Sequence, residues 1–425
     1  MTILVFLGTL FATLAIGVPV AFALMATGIV LMSYMGIFNT QIIAQQMITG
    51  ANTFTLLAVP FFLLAGELMN AGGLSRRIVD FAVTCCGHIK GGLGYVAVMA
   101  AIIMASMSGS AAADSAALAA ILVPMMRDAG YNVPRAAGLM AAGGIVAPVL
   151  PPSLAYIIFG VAANVSITGL FLGGIVPGLM MGAALALMWS FVARKETVIP
   201  LPRRSGKERL QAGGAAIWAL FMPVIILAGI RFGIFTPTEA AVVAAVYALF
   251  VGGVIYRELT WNSLYRVFVN AAKTTAIVMF LVASALVTSW LITSANIPND
   301  LIGLVEPLIE SPQLLMLGIV ALLLVVGMVL DLAPTILIFA PVLMPVTKAA
   351  GIDPVYFGII FVMTTCISLI TPPVGVVLNV VSGVSRVPFG KVAQGVLPFI
   401  ASQLVVLALL LIFPQILLGP LNWLR

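Results

Sequence analysis

Two stretches hold nearly all the residues able to do chemistry at the centre of this chain. The first runs Ser106-Met-Ser108-Gly109-Ser110 and, after three alanines, reaches Asp114. Serine hydroxyls and the backbone carbonyls of tiny residues can coordinate a small cation and touch a polar solute. The second runs Gly327-Met-Val-Leu-Asp331-Leu-Ala-Pro334-Thr335. Asp331 is the only carboxylate in the long apolar run 312–346 and could accept hydrogen bonds from a hydroxyl-rich acid. Each stretch is followed by a double proline. One is Gly143-Gly144-Ile-Val-Ala147-Pro148-Val-Leu-Pro151-Pro152-Ser153, the other Thr364-Thr365-Cys-Ile-Ser368-Leu-Ile-Thr371-Pro372-Pro373. Proline frees a carbonyl from the helix ladder. Freed carbonyls with hydroxyls form a hard-oxygen cage suited to Na⁺. Close helix packing would also account for the small residues, and a plain kink for one double proline. Two double prolines at equivalent places favour a site.

Asp114 stands apart. A carboxylate buried in a membrane bundle costs about 2.5–3.5 kcal/mol on insertion scales, so it needs a role or a fixed partner. The residues leave both open.

The elements that carry these stretches read as membrane helices. The 425 residues are 63% hydrophobic and 8% charged, against ~25% charged in a soluble chain. Mean hydropathy is +1.24. The apolar runs are 2–35 (interrupted at Gly17-Val18-Pro19), 54–70, 92–125, 136–160, 170–193, 214–232, 237–256, 273–294, 312–346, 356–382 and 392–420. The expected fold is an all-α polytopic membrane protein. Runs 92–125 and 312–346 are too long for one crossing of a ~30 Å core at 1.5 Å per residue, and each has small, polar or proline residues at its middle. They read as re-entrant helical hairpins. Runs 136–160 and 356–382 read as proline-broken helices.

Charge gives the orientation. Residues 194–209 hold Arg194, Lys195, Arg203, Arg204, Lys207 and Arg209 against Glu196 and Glu208, which places this loop in the cytoplasm. With the two hairpins re-entrant, loops 71–91, 126–135, 257–272 and 383–391, all with Arg or Lys, fall inside. The uncharged loops 36–53 and 161–169 fall outside, as does 295–311 with Asp300, Glu306 and Glu310. Lys348 is the exception, and both termini fall outside.

The chain also repeats itself. Pro124 and Pro345 stand at an offset of 221 in the numbering (345 − 124). The same offset pairs Gly130 with Gly351, Pro151-Pro152 with Pro372-Pro373, Gly169 with Gly390, Gly174 with Gly395 and Pro177 with Pro398. It also sets Ser110 opposite Asp331. Two inverted repeats are expected, 1–210 and 211–425, each with scaffold helices, a hairpin and a broken helix. Paired broken segments point to a secondary transporter with its site at the repeat interface.

Other residues read as structure. Glu67 is a polar contact near a run's end, Glu239 follows Thr236-Pro237-Thr238 like an acid in a first helical turn, and Lys273 is a snorkelling anchor. Cys85, Cys86 and Cys366 offer no disulfide framework, and the lone His88 no metal cluster. The first apolar run lacks the basic stretch of a cleavable signal. Gly206-Lys207 and Gly390-Lys391 lack the upstream glycine of a phosphate-binding loop, and there is no Gly-x-Ser-x-Gly or His-Glu-x-x-His, so ATPase, hydrolase and metalloprotease readings have no residues.

Several segments together resemble one family. They are Pro60-Phe-Phe-Leu-Leu-Ala-Gly-Glu67, Ser108-Gly-Ser-Ala-Ala-Ala-Asp114, Pro151-Pro-Ser153, Leu170-Phe-Leu-Gly-Gly-Ile-Val-Pro-Gly178, Phe235-Thr-Pro-Thr-Glu239 and Ile370-Thr-Pro-Pro-Val-Gly375. Spread over nearly the whole chain, they look like the large membrane subunit of tripartite ATP-independent periplasmic (TRAP) transporters, within the ion-transporter superfamily. The resemblance implies an elevator-type transporter of the bacterial inner membrane with Na⁺ as coupling ion. It implies two partners, a separate small four-helix membrane subunit and a periplasmic substrate-binding protein. Carried over, one Na⁺ site would take Ser106, Gly144, Ala147 and Pro148, and the other Gly327, Thr364, Thr365 and Ser368. Substrate would lie nearer Ser108, Ser110, Ser153 and Asp331, and Thr371 of the second broken helix is left unassigned between ion and substrate.

The expected function is import of a small organic anion (a C4-dicarboxylate, sialic acid, keto acid or sugar acid) with Na⁺. Proton coupling through Asp114 and Asp331 is the rival; an intramembrane enzyme lacks a nucleophile–base pair, and a membrane scaffold would not need matched broken helices. Replacing Pro151 and Pro152 with alanine rebuilds the helix ladder and is expected to weaken the Na⁺ dependence of uptake. An unchanged Na⁺ response would return the double proline to a plain kink.

Overall fold

The computed structural model describes residues 2–196, 198, 201–304 and 309–424. Among these residues every regular element is helical. The first half begins with α1 (Thr2–Ala15), α2 (Val20–Tyr34), α3 (Thr40–Ala51), α4 (Ala58–Ala71) and α5 (Leu74–Cys86). The first hairpin is α6 (Gly92–Ser108) and α7 (Ala111–Asp128). The first broken helix is α8 (Val133–Gly144) and α9 (Leu154–Ala163), and α10 (Ile167–Val192) closes the half.

The second half follows the same plan. It opens with α11 (Gly206–Arg231), α12 (Pro237–Phe250), α13 (Trp261–Ser294) and α14 (Ile297–Leu304). Its hairpin is α15 (Pro312–Gly327) and α16 (Leu332–Ala349). Its broken helix is α17 (Pro354–Ser368) and α18 (Val376–Ser385), followed by α19 (Phe389–Ile412) and α20 (Gln415–Leu424). Among the described residues, seven helices are long and apolar enough to cross a membrane. The arms α6 and α15, of 17 and 16 residues, measure only about 24–26 Å at 1.5 Å per residue.

Helix starts are set by caps that recur between the halves. Asn39 and Thr260 cap α3 and α13, Ser110 and Asp331 cap α7 and α16, and Asn132 and Asp353 cap α8 and α17. Each pair stands at the offset that relates the two double prolines. Side-chain oxygens at these positions hold amides that the first helical turn leaves unpaired. Thr236 and Glu239 form a reciprocal capping box at the start of α12, in line with the structural reading of Glu239.

The sequence treats 36–53, 71–91, 257–272 and 295–311 as loops, and here the structure differs. They contain α3, α5, the first turns of α13 and α14. The cause is patterning rather than total apolarity. In α5, Leu74, Ile78, Val79 and Ala82 are buried on one face while Arg76 and Asp80 are exposed on the other, so a window average cancels. Arg77 of α5 pairs with Glu258 at 2.6 Å and lies 3.8 Å from the centre of the Tyr256 ring. Glu306 lies outside the described residues.

Packing separates two sets of helices. α13 runs along α2, α3 and α4, and α12 lies on α4. The hairpins and broken helices interlock across the halves, with α7 on α18 and α16 on α9. Where α8 crosses α19 the backbones meet: a Cβ on Gly138 would sit 2.5 Å from the Gly395 carbonyl carbon, and one on Gly395 would overlap the Pro134 carbonyl oxygen. Only residues without a Cβ allow this approach. Gly395→Ala is expected to lower stability by about 1–3 kcal/mol in detergent unfolding. Gly318→Ala, with open space around it, should match the parent or exceed it. Equal unfolding of the two variants would refute the crossing.

Candidate functional site

The first hairpin turns at Gly109, whose φ of +64° is left-handed. A Cβ there would lie 3.0 Å from the Pro152 carbonyl oxygen and 3.1 Å from the Leu154 nitrogen, so the tip rests on the break between α8 and α9. Ser108 donates its hydroxyl to Asp114 and accepts from the Ser110 amide at 3.2 Å. Ser110 caps α7 by accepting from the Ala113 amide. Asp114 is 1% exposed, and its second oxygen has no partner among the described residues. Its position in the first turn of α7 suits a negative charge. It braces the tip through the hydroxyl of Ser108.

The second hairpin is built alike. α15 stops at Gly327, and Asp331 caps α16, its carboxylate accepting from the Leu332 amide at 2.8 Å. The Gly375 amide donates to the Met328 carbonyl at 3.3 Å, tying this tip to the second broken helix.

The two tips meet. Ser110 and Asp331 line one cavity of about 200 Å³, with Leu154, Ile158, Thr274 and Leu369 in its wall. A second cavity of about 250 Å³ shares Leu63, Ser110, Ala112 and Thr274 with it and adds Ser108, Glu67 and Asn70. Sequence reasoning missed three residues here. Glu67, read as a structural contact, is half-buried in the cavity wall opposite Ser108, and Asn70 and Thr274 join it. The available signal was the i, i+3 spacing of Glu67 and Asn70, which puts both on one face of α4. Ser153 lines neither cavity. It is fully buried, donates to the Pro148 carbonyl and accepts from the Tyr156 amide.

The expected ion positions sit where the hairpins press on the broken helices. A Cβ on Gly327 would overlap the Ser368 hydroxyl, which donates to the Thr365 carbonyl at 2.6 Å. Thr364 and Thr365 are fully buried and donate to Ile360 and Phe361 of their own helix. Thr371, half-buried, donates to the Ile367 carbonyl at 2.9 Å. In the first half, Gly144, Ala147 and Pro148 are all buried, and the Ala147 amide bonds the Gly144 carbonyl at 3.1 Å. Ser106 turns its hydroxyl back to Ile103 at 2.7 Å. A Cβ on Gly144 would overlap the hydroxyl of Ser115, another residue sequence reasoning missed, and that hydroxyl has no partner among the described residues. Among the described residues no cluster of three or more His, Cys, Asp or Glu is present. The donors are hydroxyl and carbonyl oxygens, ligands for a hard cation.

The model of a family described as "Tripartite ATP-independent periplasmic transporter, DctM component" matches residues 7–416. The chain belongs to that family. It is 54% identical over 425 residues to the 2,3-diketo-L-gulonate TRAP transporter large permease protein YiaN of Escherichia coli K12, covering 100% of both chains. It is 41% identical over 409 residues to the sialic acid TRAP transporter large permease protein SiaM of Vibrio cholerae, covering 96% of this chain and 95% of the relative. Among solved structures, the YdaH transporter of Alcanivorax borkumensis shares the fold, with a TM-score of 0.66 and 16% identity over 89% of this chain and 88% of that one. A DctM component is a multi-pass inner-membrane transport protein and not an enzyme. In this DctM component, Asp331→Ala removes the acceptor at the tip. It is expected to lower uptake about tenfold or more, the scale of a lost charged hydrogen bond of ~1.5–3 kcal/mol, while the variant elutes as folded protein. Near-normal uptake would remove Asp331 from the substrate site.

Proposed function

We propose that this DctM component carries a small organic anion inward across the inner membrane by secondary transport with Na⁺ as the co-transported ion. The observation that carries this reading is the shared cavity. Two hairpin tips from different halves, capped by Ser110 and Asp331 at the same repeat position, line a single space. Paired broken segments of this kind hold the substrate and ion sites of secondary transporters built from internal repeats.

In this reading the halves 1–210 and 211–425 are inverted repeats, which the recurring caps support. The hairpins and broken helices move as one transport unit against the α4–α12–α13 wall. Ser108, Ser110 and Asp331 bind the hydroxyls and carboxylate of the solute. Oxygens around Gly144 and Ser115, and around Gly327 and Ser368, hold Na⁺. The diketogulonate and sialic acid relatives make sugar-derived acids the first substrates to test. A small membrane subunit and a periplasmic binding protein complete the tripartite system.

The test is uptake into proteoliposomes holding this chain and the small subunit, with the cognate binding protein outside. Uptake is expected only with an inward Na⁺ gradient and the binding protein together. Uptake driven by a pH gradient without Na⁺ and abolished by Asp114→Asn would transfer the coupling to protons. The unpaired, buried oxygen of Asp114 is the feature that favours that second outcome.

A further inference from the structure

One cation on the side that the charge pattern assigns to the cytoplasm is shielded from solvent without an anion. Arg209 stands in the first turn of α11, next to the capping box of Ser205 and Glu208. Its Nε and one terminal nitrogen are buried and have no hydrogen-bond partner among the described residues. Guanidinium nitrogens left in that condition are costly. The acids of the same loop are already taken. Glu196 pairs with Arg135 at 3.1 Å and Glu208 with Arg204 at 2.9 Å. Arg203 and Lys207, beside Arg209, are exposed.

The groove that holds Arg209 lies between α5 and α11, which run antiparallel. Just before α11, the Leu201 amide donates to the Gly87 carbonyl just after α5, at 3.3 Å. A Cβ on Gly213 would lie 3.6 Å from the Phe81 ring. Further along, Tyr256 stacks on Arg77 and donates its hydroxyl to the Ala215 carbonyl at 2.7 Å. Arg209 precedes Gly213 by one helical turn and shares its face of α11. One turn on from Phe81, that face meets Cys85, with His88 next. The Nδ1 of His88 is also buried with no partner among the described residues. Asp80 is exposed on the other face of α5 with Arg76. Two nitrogen-bearing side chains, from the end of α5 and the start of α11, therefore converge on one groove without a carboxylate to meet them.

We infer that this groove is a binding site for the phosphate of an anionic phospholipid in the cytoplasmic leaflet. A guanidinium presents its N–H groups in pairs that match two phosphate oxygens. Basic pockets between membrane helices on the cytoplasmic side take such headgroups. What adjoins Arg209 favours a lipid over a soluble phosphate. Leu210, the next residue, is 79% exposed and begins a stripe with Ile217, Phe221 and Val224, all exposed at helical spacing on one face of α11. A headgroup held at Arg209 lays an acyl chain along that stripe. Arg203 and Lys207 add exposed positive charge at the mouth of the groove, where it draws anionic lipid.

Lipid binding to the full chain purified in a neutral detergent tests this. Phosphatidylglycerol is expected to raise the unfolding temperature, while phosphatidylcholine and inorganic phosphate leave it unchanged. Arg209→Gln is expected to weaken phosphatidylglycerol binding about tenfold. Arg76→Gln, which removes the same charge from the exposed face of α5, should bind like the parent. Equal weakening in both variants would reduce the effect to diffuse surface charge and overturn the site. Equal protection by inorganic phosphate would make the groove a soluble-anion site and overturn the lipid. A photoactivatable phosphatidylglycerol on the unaltered chain gives a readout independent of how the variants fold. Labelling within 81–90 and 201–213 supports the groove, and labelling confined to other segments overturns it. Loss of that labelling in the complex with the small membrane subunit would assign the stripe to the subunit and overturn the lipid. None of these readouts uses uptake, so each outcome leaves the transport reading as it stands.

Discussion

Backbone amides and carbonyls inside a membrane protein need protein partners, and among the described residues the two hairpin turns and the two broken helices leave such groups outside the helix ladder. Everything distinctive about the site follows from how those breaks are sealed. Ser110 takes the Ala113 amide, Asp331 the Leu332 amide and Ser153 the Tyr156 amide together with the Pro148 carbonyl. The Met328 carbonyl takes the Gly375 amide from the neighbouring break. Each seal made by a side chain uses a polar residue that would otherwise be costly in a lipid-facing bundle. Two of those residues, Ser110 and Asp331, then stand where a polar solute could be held.

Close packing keeps the seals in place. Gly144 against Ser115, Gly327 against Ser368 and Gly138 against Gly395 are contacts that a single added Cβ would open. The hairpins do not pack only on their own half, since α7 lies on α18 and α16 on α9. Each tip is therefore held by elements of both halves, beside the wall formed by α4, α12 and α13. The interlock explains how two tips from distant parts of the chain come to share a cavity of about 200 Å³.

The two central carboxylates divide the work by position. Asp114 is enclosed behind the first tip and receives the Ser108 hydroxyl, so it shapes the turn. Asp331 caps the second tip with its carboxylate open to the cavity, so it can meet a solute. Glu67, on the wall opposite, adds a third carboxylate that faces the neighbouring space from the scaffold side.

Much of this was legible in the residues alone. Hydropathy set the membrane class, run length with central small residues marked the hairpins, and the recurrence of proline and glycine at one fixed offset paired Ser110 with Asp331. These are local or strictly periodic signals, and a helix break is written into the residues that cause it. Helices α3, α5 and α14 escaped because amphipathic or short segments average out in a hydropathy window. Glu67, Asn70, Thr274 and Ser115 escaped for another reason. A polar side chain reads the same whether it caps a helix, braces a turn or walls a cavity, and Ser153, expected near the substrate, caps α9. Which role it takes depends on what lies across from it, and here the facing element is supplied by a distant part of the chain. Residue types along the chain dictate where the backbone breaks, because proline and glycine act on their immediate neighbours. Which polar groups those breaks turn toward one another came from the packing of α7 on α18 and α16 on α9, contacts that no local pattern encodes.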